Sequence, residues 1–107
     1  MSGHNLPPIA LSQTEWEIVQ TLLARHVPQY EVWAFGSRAK HTAKEYSDLD
    51  LAIITEQPLS LSLSATLAEG FMESDLPMKV DIVDWASTSE AFRQIIEKDK
   101  IAIQQPR

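Results

Sequence analysis

The sequence predicts an α/β fold: a single small domain in which helices flank a small mixed β-sheet. Three observations carry this expectation. A helix-start signature at Ser12 to Glu15 is followed by apolar residues at helical spacing. Short runs of branched and aromatic residues recur at "EVWAFG", "DLDLAII" and "MKVDIVDW". Helical patterns separate or follow those runs, which is the mark of helices packed on a sheet.

Taken in order, Ser12 and Glu15 form a capping box and Leu11 and Trp16 occupy the two staple positions, so the first helix should begin near Gln13. Trp16, Val19, Leu22 and Leu23 supply its apolar stripe, and Pro28 stops it. "EVWAFG" then reads as a strand that ends in a tight turn at Gly36. Ser37 to about Tyr46 is polar, which suggests a short helix and a loop. In the strand Asp48 to Ile54, Leu49, Leu51 and Ile53 share one face while Asp48, Asp50 and Ala52 share the other. "LSLSLSAT" alternates like a strand, yet Leu59, Leu63, Leu67, Gly70 and Phe71 fit a helix, and the length up to Asp75 favours the helix. After Pro77 comes the third strand. Ser87 and Glu90 suggest a second capping box, with Phe92, Ile95 and Ile96 as the stripe of a last helix. Ile101 to Ile103 can add a short edge strand, and residues 1–10 read as a flexible tail.

A chain of 107 residues has room for one core. It contains no apolar run near the roughly 18 residues a bilayer span requires and no signal-peptide pattern, so retention in the cytoplasm is expected. With no cysteine, disulfides and thiolate metal sites are excluded. The net charge of −6 argues against nonspecific nucleic-acid binding, whose affinity comes from cationic side chains displacing counterions. The positive charge is nevertheless clustered: Arg38, Lys40 and Lys44 lie close together, with His41 among them. Such a nest in an acidic chain suits a small polyanion such as a triphosphate.

The chemistry-bearing residues surround that nest. Gly36 lets backbone approach a ligand closely, and Ser37 offers a hydroxyl and N–H groups to an anion. Arg38 can add a forked contact to phosphate oxygens and Lys44 a point charge. Asp48 and Asp50, two apart on one strand, can clamp a hard cation from one side. A third carboxylate can come from "VDIVD". Asp81, flanked by Val80 and Ile82, is favoured over Asp84, because a carboxylate within an apolar strand is costly unless paired or ligating a metal. His4, His26 and His41 match no zinc spacing.

Gly36-Ser37, ten residues, then Asp48-Leu49-Asp50 resembles the G-S-x10-D-x-D pattern of the polymerase-beta-like nucleotidyltransferase superfamily. "WAFGSRAKHTAKEYSDLDLAI" with the later "VDIVDW" is closest to its minimal nucleotidyltransferase (MNT) group, and the likeness runs from about Thr14 to Ile103. The chain departs from many such relatives in having Lys40 and His41 where they have arginine and glycine. The resemblance implies the nucleotidyltransferase fold, with Gly36, Ser37, Arg38 and Lys44 at the nucleotide and Asp48, Asp50 and Asp81 as catalytic ligands of two Mg²⁺ ions. It implies ATP as substrate and transfer of AMP to a tyrosine of a helical HEPN-family toxin encoded nearby, which makes the chain an antitoxin. Two alternatives remain open: an antitoxin that acts by binding alone, and nucleotidyl transfer to a small hydroxylated molecule.

Overall fold

A computed structural model describes residues 6–107. Helix α1 (Gln13–His26) is followed by strands β1 (Glu31–Phe35) and β2 (Leu49–Ile54), helix α2 (Leu61–Met72), strand β3 (Val80–Asp84), helix α3 (Glu90–Asp99) and strand β4 (Ile101–Gln104). The sheet order is β3-β2-β1-β4. Strand β1 runs antiparallel to both β2 and β4, whereas β2 and β3 are parallel, so the sheet is mixed as the sequence predicts.

The capping box at α1 is present in both directions: Glu15 N–H donates to Ser12 Oγ at 3.1 Å and Ser12 N–H donates to Glu15 Oε1 at 2.8 Å. "LSLSLSAT" is helical, starting one residue after Ser60, whose Oγ accepts from Leu63 N–H. The second capping box does not form. Trp85–Ser87 winds into a short 3-10 turn, closed by Thr88 N–H donating to Trp85 O, so Ser87 is spent before the helix begins. Ser89 caps α3 instead, accepting from Phe92 N–H at 3.2 Å. The flexible tail expected over residues 1–10 does not extend to Ile9 and Ala10. Ile9 is 2% exposed, and Ala10 N–H donates to Arg38 O at 2.8 Å. His4 lies outside the described residues.

The strand alternation divides the core between the two sheet faces. Leu49, Leu51 and Ile53 are fully buried and belong to the larger cluster, with Trp16, Val19 and Leu23 of α1 and Leu67 and Phe71 of α2. The other face carries Trp33, Phe35 and Ala52, covered by Ile96 and Phe92 of α3. Trp33 and Phe35 make edge contacts with Trp85 and Phe92, with ring centroids 5.0 and 5.8 Å apart. Lys100 Nζ lies 3.9 Å from the Trp33 ring centroid and clamps the end of α3 to the sheet. No helix among the described residues is long and apolar enough to cross a membrane.

Candidate nucleotide site

The face that α3 covers is open at one end. There Phe35, Gly36, Lys40, Asp50, Asp81, Val83, Phe92, Ile95 and Asp99 surround a cleft of about 500 Å³. A groove of about 590 Å³ lies between α1 and α2, lined by residues such as Glu17, His26 and Glu69, and gathers none of the candidate site residues.

Strand β1 delivers the chain to Gly36, which sits at φ 74°, in the left-handed region that favours glycine. A side chain there would also collide with Asp50: a Cβ on Gly36 would fall within contact distance of Asp50 Oδ2 and 3.4 Å from its Cγ. The turn that follows is built on the Gly36 carbonyl, which accepts from the N–H groups of Ala39 and Lys40, both at 3.1 Å. Among the described residues, the N–H groups of Ser37 and Arg38 have no backbone acceptor. The short helix expected after Ser37 is reduced to these turns. One helical turn closes at Lys40, and His41 at φ 59° then reverses the chain.

Arg38 does not face the cleft, which corrects its expected contact with phosphate. It is 5% exposed, and its guanidinium is consumed by main-chain carbonyls. Nη1 donates to Ala10 O at 2.7 Å, Nε to Ser47 O at 2.9 Å and Nη2 to Glu45 O at 3.1 Å, with a longer contact to Lys44 O. Arg38 thereby ties the residue 44–47 loop and the chain before α1 to the turn after β1. Lys44 is exposed and is not among the residues that line the cleft. Of the basic cluster, Lys40 is the member that reaches the cleft, and its Nζ lies 3.8 Å from Asp99 Oδ2.

Opposite this turn, Asp50 of β2 and Asp81 of β3 are direct register partners on neighbouring parallel strands. Their backbones lie about 4.8 Å apart and both side chains leave the same sheet face. Asp48 precedes β2 and is exposed. The Asp50 carboxyl is pushed above its ordinary value, first by burial and then by the charges of Asp81 and Asp48. Among the described residues, the ion pair made by these carboxylates is a weak, exposed one, with Lys79 Nζ 3.5 Å from Asp81 Oδ1. Asp84 serves the fold instead. It accepts from Thr55 Oγ1 and, at 2.7 Å, from Leu59 N–H, which fixes the β2–α2 connection.

Among the described residues, no group of three or more His, Cys, Asp or Glu side chains is gathered to hold a metal ion. The donors present still fit magnesium. They are hard oxygens, two are in register, and Mg²⁺ typically takes one or two carboxylates with waters and substrate phosphates rather than a closed protein cage.

The α3 wall, with Phe92, Ile95 and Asp99, escaped recognition as part of the site. Its only signal in the sequence is an aspartate at the end of an amphipathic helix. Nothing local says that this helix end meets the turn after β1.

Fold and cleft together define a class, that of a compact nucleotidyltransferase domain. Residues 17–106 match the family model described as polymerase beta, nucleotidyltransferase, and the chain belongs to that family. It is 56% identical over 95 residues to the Haemophilus influenzae protein named Probable protein adenylyltransferase MntA, covering 89% of this chain and 83% of that relative. A crystal structure of a toxin-antitoxin with AMP-PNP superposes with a TM-score of 0.71 at 25% identity, covering 86% of this chain and 74% of that one. A solved candidate minimal nucleotidyltransferase superposes with a TM-score of 0.64 at 33% identity, covering 83% and 89% of the two chains.

Proposed function

We propose that this nucleotidyltransferase transfers AMP from ATP to a tyrosine hydroxyl of a helical HEPN-family toxin, the new O–P bond replacing the bond to the departing pyrophosphate, and so acts as its antitoxin. The observation that carries the reading is the 56% identity, across most of both chains, to a protein named as an adenylyltransferase. The cleft supplies the chemistry. A triphosphate is received by Ser37 and the N–H groups of the turn after Gly36, with the Lys40 ammonium beside it. Asp50 and Asp81, with Asp48 at the flank, would hold Mg²⁺. Bound magnesium supplies charge neutralisation at the phosphates and a lowered pKa for the acceptor hydroxyl. Asp50 and Asp81 stand on β2 and β3 and the turn follows β1 directly, so the groups that would meet the phosphates are carried on or beside strands of one sheet.

Support for a protein acceptor comes from the toxin-antitoxin assembly that shares this fold. The test is to incubate the purified partner with this chain, ATP and Mg²⁺ and to weigh it by mass spectrometry. Addition of one or more AMP units is expected, and no added mass with the wild-type chain sinks the proposal. Asp48→Asn and Asp50→Asn should abolish the addition while the circular dichroism spectrum is retained.

A further inference from the structure

We infer that Asp99 is a positioning residue: it holds the Lys40 ammonium against α3 and away from Asp50 and Asp81, leaving those carboxylates open to a cation. The inference rests on reading this cleft as the nucleotide site. Lys40 is the one Lys or Arg lining the cleft among the described residues, and three carboxylates, Asp50, Asp81 and Asp99, line it too. A lysine on a flexible four-carbon stem goes to the strongest field it can reach. Asp50 and Asp81 line the same cleft and so compete with Asp99 for the Lys40 ammonium, and an ammonium paired with them would neutralise the site. Yet Lys40 Nζ is found 3.8 Å from Asp99 Oδ2, while Asp81 pairs with Lys79 and Asp50 has no ion pair among the described residues.

The placement of Asp99 has no helical rationale. It is the last residue of α3, where the macrodipole disfavours a carboxylate. Its position is nevertheless firmly set. Ile96, one turn earlier, is fully buried, and Lys100, the next residue, is stacked on Trp33. The carboxylate therefore lines the same cleft as Asp50 and Asp81 from a fixed helix end, and Lys40 pairs with it there.

The test is titration of Mn²⁺, as a paramagnetic stand-in for Mg²⁺, into nucleotide-free protein. The wild type, Asp99→Asn, Lys40→Met and the double variant are compared, each with its fold checked by circular dichroism. Asp99→Asn should weaken Mn²⁺ binding about threefold to fivefold, the range expected for losing one partly exposed ion pair. In the Lys40→Met background the same change should have no effect, and Asp99→Glu should restore binding. Unaltered binding in Asp99→Asn overturns the inference. So does an equal loss in both backgrounds, which would mean that Asp99 acts as a distant charge rather than through Lys40. A wild type that transfers AMP while Asp99→Asn binds Mn²⁺ normally sinks this inference alone. A wild type that neither binds Mn²⁺ nor transfers AMP sinks the proposed function along with it.

Discussion

Replacing Gly36 by alanine separates two costs that meet at one atom. The backbone there is at φ 74°, and forcing an L-residue into that region costs about 1 kcal/mol or slightly more. The new methyl would also intrude on Asp50 Oδ2 and lie 3.4 Å from its Cγ, which obliges the carboxylate to leave its rotamer at a further cost of about 1 kcal/mol. Together they predict destabilisation by about 2 kcal/mol, on the order of a 10 °C fall in Tm for a domain of this length, read by thermal unfolding. AMP transfer to the partner, read by mass spectrometry, should fall about a hundredfold, because a carboxylate displaced by an ångström no longer meets its ligands. An Asp50→Ala background tests the division. Without the carboxylate the collision disappears, so Gly36→Ala should then cost only about 1 kcal/mol, the difference being the coupling energy. Equal destabilisation in both backgrounds, or a Gly36→Ala protein with full stability and activity, refutes the close-approach argument.

Asp50 gives a pH signature. Its raised folded pKa means that the native state holds this proton more tightly than the unfolded chain does, so its contribution is fully present below 3.8 and is lost as pH rises through the raised value. Metal-free Asp50→Asn should therefore be more stable than wild type at pH 7 in urea unfolding, with the advantage vanishing under acid; a less stable variant at pH 7 contradicts this. Arg38→Met removes the donors serving Ala10, Ser47 and Glu45 and should cost about 3 kcal/mol or more by the same assay. Wild-type stability combined with weakened ATP binding would return Arg38 to the nucleotide. Asp84→Ala orphans the Leu59 N–H and the Thr55 hydroxyl, and about 2 kcal/mol should be lost. AMP transfer per folded molecule should be retained, and a specific loss of transfer would place Asp84 in the site.

Elements with strong local signals were legible in the sequence. The Ser12 and Glu15 capping box marks the start of α1 unaided, since both partners lie within one turn. The Leu49, Leu51 and Ile53 alternation sorted β2 between its two faces correctly, these three in the larger cluster and Ala52 in the other. The second cap was misread because "STSE" offers serines at both 87 and 89, and the 3-10 turn anchored by Trp85 decides between them. Within the basic cluster, local sequence cannot rank Arg38, Lys40 and Lys44. Which of them faces the cleft depends on where Ala10 and the residue 44–47 loop pack, and Arg38 fills the space between those two segments.

Residue types and spacing alone were sufficient to mark a glycine-serine turn ahead of Asp48 and Asp50, and the resemblance of that pattern to a known one pointed to the family. Those residues are neighbours along ten intervening positions, and the chemistry they share is written in their order. Tertiary structure decided everything that crosses elements. It set Asp81 in register with Asp50 through a parallel strand pair some thirty positions apart, and it brought Asp99 from the end of the last helix to the Lys40 ammonium. Strand pairing and helix docking minimise exposed apolar area over the whole chain, so contacts of this kind depend on packing that no local stretch encodes.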